Sequence, residues 1–239
     1  MTAITGTVAL PATAFGAAWG MLDLGSPHPV FGVDRYFWPD DAERQRLHSA
    51  TLDLLTRLDL AHDRTLAPHW RSTLQTLGHA EREYFGWSEH RDGTRHSALA
   101  ARHGTDAVLA TVRDDLVELR PIPATRLATA LFDTLPTAPG AAIRSAVMDR
   151  PTEETPDPFD DSADRDHFAT VFSRPQRAVH QLYTARRHDG RRFTGGPITA
   201  VDLDLGRVLT YRNGEDRVEL ISGSPRAVVK VLNDTCAAL

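Results

Sequence analysis

One stretch of this chain occurs twice in outline, and that constrains its fold more than any single motif does. Residues 84–135 begin with an extended run to Glu89, an Arg91-Asp92-Gly93 turn and a second extended run to His103. A strand over 107–113, an Asp114-Asp115 turn, a strand over 116–120 and a proline-started helix complete the unit. The order returns over 182–185, Asp189-Gly190, 192–205, 208–212, Gly214-Glu215 and 217–221, and a helix follows Ser224. Setting Val117-Glu118-Leu119 on Val218-Glu219-Leu220 brings Leu131 onto Leu232 and Asp133-Thr134 onto Asp234-Thr235 without a gap. Matching turns, strands and helix in one order mark an internal duplication.

The turns also fix the kind of sheet. Asp92-Gly93, Asp114-Asp115, Asp189-Gly190 and Asn213-Gly214 each stand between extended runs, which is the signature of antiparallel hairpins. In the first strand Phe85 and Trp87 point one way and Tyr84 and Gly86 the other. Val117 and Leu119 likewise oppose Glu118 and Arg120, as in a sheet with one wet face.

Helices surround these units. A short strand over 4–10 leads to a helix from Pro11 in which Phe15, Ala18, Trp19 and Leu22 recur at helical spacing, with Gly25 to stop it. Ser26-Pro27-His28-Pro29 reads as an extended linker, because a residue before proline is pushed out of the α region. Asp40 stands three residues before Glu43, the spacing of a capping box, and opens a helix whose stripe is Leu47, Ala50, Leu54 and Leu58. A further helix carries Trp70, Leu74 and Leu77 and ends at Gly78. The helix of the first unit uses Leu127, Leu131 and Leu135 up to Pro136. The last helix has Ser224 as N-cap, Pro225 at its first position, and Val228, Val231 and Leu232 facing inward. Between the units, residues 150–166 hold few apolar side chains to offset ordering, and read as a mobile acidic linker running into a short helix through Phe168 and Phe172. The expected organisation is a single domain over 1–239, with a first half 1–148, a linker at about 149–166 and a second half 167–239.

Composition sets limits on function. At 239 residues with 41% apolar and 25% charged side chains, the chain can bury a substantial core. A net charge of −5 does not suit a general nucleic-acid binder. Lys230 is the only lysine, so arginine supplies nearly all the positive charge. With Cys236 alone no intramolecular disulfide can form, and its place in the last helix reads as a small buried hydrophobe. No positive residue precedes Arg35, and Gly6, Pro11 and Gly16 break the N-terminal apolar stretch. That pattern is neither a secretory signal nor a membrane span, so the expected location is cytoplasmic, without membrane insertion.

Three constellations could carry chemistry. Asp202 and Asp204, two apart on a strand, project from one face and could hold a divalent cation or share acid and base roles. They carry the alternative reading, a metal-dependent hydrolase or transferase, although Gly206-Arg207 follows closely enough to answer the charge. The eleven histidines are scattered; none forms a His-x-x-x-His or His-Glu-x-x-His pair, and His62, His69 and His79 read as solvent-exposed. Asp164, Asp166 and His167 cluster in the acidic tract, where a mobile run offers no preorganised geometry. Arg186, Arg187, Arg191 and Arg192 flank the Asp189-Gly190 turn, but Phe193 is the one aromatic there, unlike an RNA-reading sheet. Gly195-Gly196-Pro197 marks a bend or bulge. Neither a Gly-x-Ser-x-Gly nor a Cys-His arrangement is present, so nothing in the sequence requires an enzyme, a metal or a cofactor.

The assembled order resembles the EspG family, cytosolic specificity chaperones of the ESX (type VII) secretion systems of actinobacteria. The marks are Pro27-His28-Pro29, then Asp41-Ala42-Glu43-Arg44 opening a leucine-rich helix, and Leu66-Ala67-Pro68 after a short loop. Glu81-Arg82-Glu83-Tyr84, Ala100-Ala101-Arg102-His103-Gly104 before Ala107-Val108-Leu109-Ala110, and Asp202-Leu203-Asp204-Leu205-Gly206-Arg207 continue them. Leu203 stands where the family usually has threonine, and the hairpin at Asp92-Gly93 is short where the family's loop is often long. The resemblance implies an α+β fold: a central antiparallel sheet with a quasi-two-fold internal repeat, flanked by N-terminal and C-terminal helical bundles. It implies binding of a PE–PPE heterodimer, or of another helical ESX substrate, at an apolar tip, and no nucleic acid. The contact residues expected on that basis are Glu89, His90, Arg91, Asp92 and Thr94 of the first central hairpin, with Arg226, Lys230 and Asn233 on the outward side of the last helix.

Overall fold

The computed structural model describes residues 3–32, 40–148, 162–215 and 217–239. The N-terminal part holds β1 (Val8–Pro11), α1 (Ala12–Gly20), a single 3-10 turn at Pro29–Phe31, α2 (Asp41–Arg57), a two-residue ladder of β2 (Ala61–His62) and β3 (Thr65–Leu66), and α3 (Pro68–Gly78). The first repeat unit follows as β4 (Arg82–His90), β5 (Arg95–His103), β6 (Asp106–Arg113), β7 (Leu116–Pro121) and α4 (Leu127–Phe132). After β8 (Ala146–Met148) and α5 (Ser162–Phe172), the second unit is β9 (Gln176–His188), β10 (Arg191–Leu203), β11 (Gly206–Arg212), β12 (Val218–Ser222) and α6 (Pro225–Ala237).

Ten strands form one sheet in the order β1-β7-β6-β5-β4-β9-β10-β11-β12-β8, antiparallel throughout. Each unit is a four-stranded meander closed by a helix, and the two meet where β4 pairs with β9 from Arg82↔Arg186 to His90↔Ala178. The expected α+β fold with its quasi-two-fold repeat is the observed one. All four expected turns are hairpin turns, and Gly93 and Gly190 adopt φ of +85° and +75°, a region that glycine enters without a side-chain penalty. The bend at Gly195-Gly196-Pro197 is a register shift between Gly195 and Ile198 in the β9–β10 ladder.

Strand alternation sorts the core onto two faces. On one face, Phe85, Leu99, Ala101, Val108, Val117 and Leu119 pack with Phe15 and Trp19 of α1, Leu52 and Leu55 of α2, and Trp70 and Leu74 of α3. Further along that face, Phe168 and Val171 of α5 cover Val201, Val208 and Leu220. On the other face, Leu127 and Leu131 of α4 join Val228, Val231, Leu232 and Cys236 of α6 over Tyr84, Ala100, Leu182 and Leu209. Leu131 and Leu232, equivalent in the repeat, are both fully buried in this cluster.

Several local expectations are corrected. The inward side of α2 is Thr51, Leu52 and Leu55; Leu47 and Leu54 are half-buried, Ala50 is exposed and Leu58 is 41% exposed. The buried residues of α2 are confined to its second half, so the apolar stripe over its whole length does not mark the buried side. The N-terminal strand is confined to Val8–Pro11, and its end passes directly into α1. α4 starts at Leu127, after a turn in which the Arg126 N–H donates to the Pro123 carbonyl, so it is not proline-started. His28 does not simply extend a linker: its Nδ1 accepts from Val30 N–H at 3.3 Å to cap the 3-10 turn. Of the acidic tract, residues 149–161 lie outside the described residues, while Asp164, Asp166 and His167 are helical, with Asp164 bound to the Arg144 guanidinium and the Val147 N–H.

Candidate functional site

The hairpin joining β4 to β5 is built around Asp92. Its carboxylate accepts from the Thr94 N–H at 2.9 Å and from the Thr94 hydroxyl, and these bonds hold its pKa below the usual carboxylate range. Glu89 and Arg95 close the ladder with an exposed ion pair at 2.6 Å. The Arg91 N–H donates to the Arg177 carbonyl at 2.8 Å, which ties the tip to the start of β9. The five residues expected here therefore form one ordered tip. Alternation nevertheless divides them, because Glu89 lies on the face of Phe85 and Trp87, and His90 on the face of Tyr84.

Arg226, Lys230 and Asn233 are exposed on α6, as expected. Lys230 pairs with Asp234 at 2.5 Å, and Asn233 accepts from the Tyr84 hydroxyl at 2.9 Å, so Asn233 also fixes the helix to β4. The structure does not gather the two groups into one patch. The hairpin tip ends the sheet, while α6 lies over the middle of one face.

A buried polar row runs behind the tip, of which the sequence signalled the Asp202–Arg207 pair but not His180 or Ser88. The Arg207 guanidinium donates to both oxygens of Asp202, at 2.6 and 2.9 Å, and to the Pro136 carbonyl at 2.8 Å. Asp202 can then only accept, so His180 presents its Nε2–H to it at 3.2 Å, and His180 Nδ1 accepts from the Ser88 hydroxyl at 2.8 Å. All four side chains are buried. Burial raises the Asp202 pKa, but the bonds from His180 and Arg207 and the charge of Arg207 outweigh it and bring the value down to about 2. His90 stacks on His96 at 5.4 Å and meets His180 edge-on at 6.0 Å. Burial, then the charge of Arg113, lowers His96 to about 4, and burial outweighs Asp202 in lowering His180. The expectation of exposed histidines holds for His62 and His79; His69 is half-buried, and His180 is wholly buried.

The paired carboxylates of the alternative reading both line a cavity of about 340 Å³, but only Asp202 is on the strand: β10 ends at Leu203 and Asp204 stands in the turn after it. Each is already engaged by a guanidinium: Asp202 by Arg207, and Asp204 by Arg174 in a fork at 3.0 and 2.8 Å. Among the described residues no three His, Cys, Asp or Glu side chains are grouped to hold a metal ion. The arginine tip is partly spoken for as well. Arg192 binds the buried Glu83 at 2.9 and 2.5 Å and lies over the Phe85 ring, beside His28, whose pKa burial and Arg192 together lower to about 3. No helix among the described residues is long and apolar enough to cross a membrane.

A cleft of about 1010 Å³ opens on the α1–α3 face between the hairpin and the first helices. Glu89, Asp92 and Thr94 line it, and so do Trp87, Asp114 and Asp115, which sequence reasoning did not single out. The signal for Trp87 was its two-residue spacing from Phe85, which puts both rings on one face of β4.

Comparison with solved structures finds the type VII secretion system chaperone EspG5 of Mycobacterium tuberculosis, determined in complex with a PE25–PPE41 dimer. The likeness has a TM-score of 0.75 at 14% identity and covers 96% of each chain, so the fold is shared throughout. No curated protein matches the chain. The model of the EspG family matches residues 11–234, nearly the whole length. With its duplicated sheet and flanking helices, this chain belongs to the EspG family.

Proposed function

We propose that the protein is a cytoplasmic specificity chaperone of a type VII (ESX) secretion system. It binds a PE–PPE heterodimer, or another helical substrate of that system, covers an apolar tip of the client and helps to deliver it for secretion. Family membership over residues 11–234 carries this reading. The EspG5 likeness, to a chaperone solved with its PE25–PPE41 dimer, supports the same choice of client. A client tip that would otherwise aggregate exposes apolar surface, and covering it is a matter of binding, with no chemical step. Glu89, His90, Arg91, Asp92 and Thr94 at the hairpin tip and Arg226, Lys230 and Asn233 on α6 are the proposed contacts, with rim charges choosing among clients more than adding affinity. A complex of this kind buries on the order of 1,000 Å² or more in total.

The test is affinity purification of the tagged chain from its native cytosol, with identification of what co-purifies. A small helical secretion substrate recovered in stoichiometric amount is the expected result. Its absence from cells that express such substrates overturns the proposal.

A further inference from the structure

The cleft beside the hairpin has a floor and a rim of different chemistry. Trp87 forms the floor together with Val112 and Val179 and is 37% exposed, an unusual state for tryptophan at the centre of a ten-stranded sheet. Its ring is held edge-on against Phe85 at 5.7 Å and Tyr183 at 5.8 Å, so it needs little ordering to receive a partner. The rim is acidic. Glu89, Asp92, Asp114 and Asp115 face Arg95, which is paired with Glu89. Asp114 and Asp115 pair with no cation among the described residues. The β4–β5 and β6–β7 turns, at one end of the sheet, thus place three carboxylates without an ion-pair partner among the described residues around one exposed aromatic ring.

We propose that this cleft docks an apolar, positively charged segment of the client, a contact separate from α6 on the opposite face. The proposal rests on the chaperone reading and adds the chemistry of the partner: apolar side chains on Trp87, with lysine or arginine against Asp92, Asp114 and Asp115. An acidic segment would be repelled, and so would the same rim on a second copy of this chain.

The full-length chain is titrated, by fluorescence anisotropy, into a short labelled helical peptide with a Leu/Phe face flanked by lysines, and into its twin with glutamates in place of the lysines. The lysine peptide binds and the twin binds at least about tenfold more weakly. Asp114→Asn/Asp115→Asn weakens the lysine peptide about fivefold and flattens its salt dependence. Trp87→Ala weakens it about thirtyfold. Equal binding of the twins, no binding of the lysine peptide, or unchanged affinity in the Asp114/Asp115 variant overturns the proposal, and that variant alters only exposed positions. In client co-purification, wild-type recovery retained by both variants overturns the cleft and leaves the chaperone reading standing. Selective peptide binding with no client recovered by any version supports the cleft and overturns the chaperone reading.

Discussion

Arg207 is completely buried, yet its charge is matched by a carboxylate that it grips at two oxygens. Removing one member of such a pair leaves the other charge uncompensated. Arg207→Leu therefore costs about 3–5 kcal/mol at neutral pH, read from urea unfolding, while Arg207→Leu/Asp202→Leu recovers much of the loss. The buried histidines give a second prediction. His28, His96 and His180 are held neutral in the fold, but in the unfolded chain they protonate near the ordinary histidine pKa of about 6.5. Their contribution is complete above that pH and is lost as the pH falls towards the folded value of about 4 for His96. Asp202, depressed to about 2, adds a further loss below its unfolded value. The melting temperature should fall from pH 6.5 to pH 4, and His96→Gln should flatten that slope; an unchanged slope refutes the assignment. At this scale the sequence was partly legible. Arg207 was near enough to Asp202 in sequence to be noticed, whereas the strand spacing of Asp202 and Asp204 did not carry over, because β10 ends at Leu203 and Asp204 stands in the turn. His180 and Arg174 reach those carboxylates from β9 and from the residues after α5, and no local pattern records such a meeting.

Elements were most legible where local chemistry alone decides them. Asp40 accepts from the Glu43 N–H at 2.6 Å and Ser224 from the Ala227 N–H at 3.3 Å, so both N-caps stand where the residue types placed them. Ser224→Ala should cost about 1 kcal/mol, because α6 then begins with an unsatisfied N–H. The inward side of α2 was illegible because it depends on which neighbours the helix meets, and its buried residues, Thr51, Leu52 and Leu55, lie off the apolar stripe. Gly86 shows the same dependence on partners. It looked like an ordinary strand residue, but it sits on the β4–β9 seam, where an added Cβ would lie 2.5 Å from the Gln181 carbonyl oxygen and 2.8 Å from the Leu182 side chain. The first of these is backbone and cannot swing aside. Gly86→Ala should cost about 1–3 kcal/mol by denaturant unfolding, against almost nothing for Gly6→Ala, which meets no atom within 4 Å.

The seam also decides how the molecule holds together. Nine registered pairs join β4 to β9, from Arg82↔Arg186 to His90↔Ala178. The two helices on its far side come from different halves, α4 from the first and α6 from the second, and they share one core over Tyr84 and Leu182. The repeat was legible because each half keeps its own turns and strand order. That the halves join in one central sheet came from the family resemblance, since no residue pattern says which edge of a meander pairs with which. Neither half can bury its central edge or its helix without the other, and a free edge of nine residues in β4 is a template for aggregation. A chain cut once within residues 149–161 should therefore remain a single particle of unchanged mass by size exclusion and unfold in one transition close to that of the intact protein. Residues 1–148 expressed alone should aggregate or unfold, and adding 162–239 should rescue them. Independent folding of the two fragments, with no association between them, would show that the seam is a contact between two domains rather than the core of one.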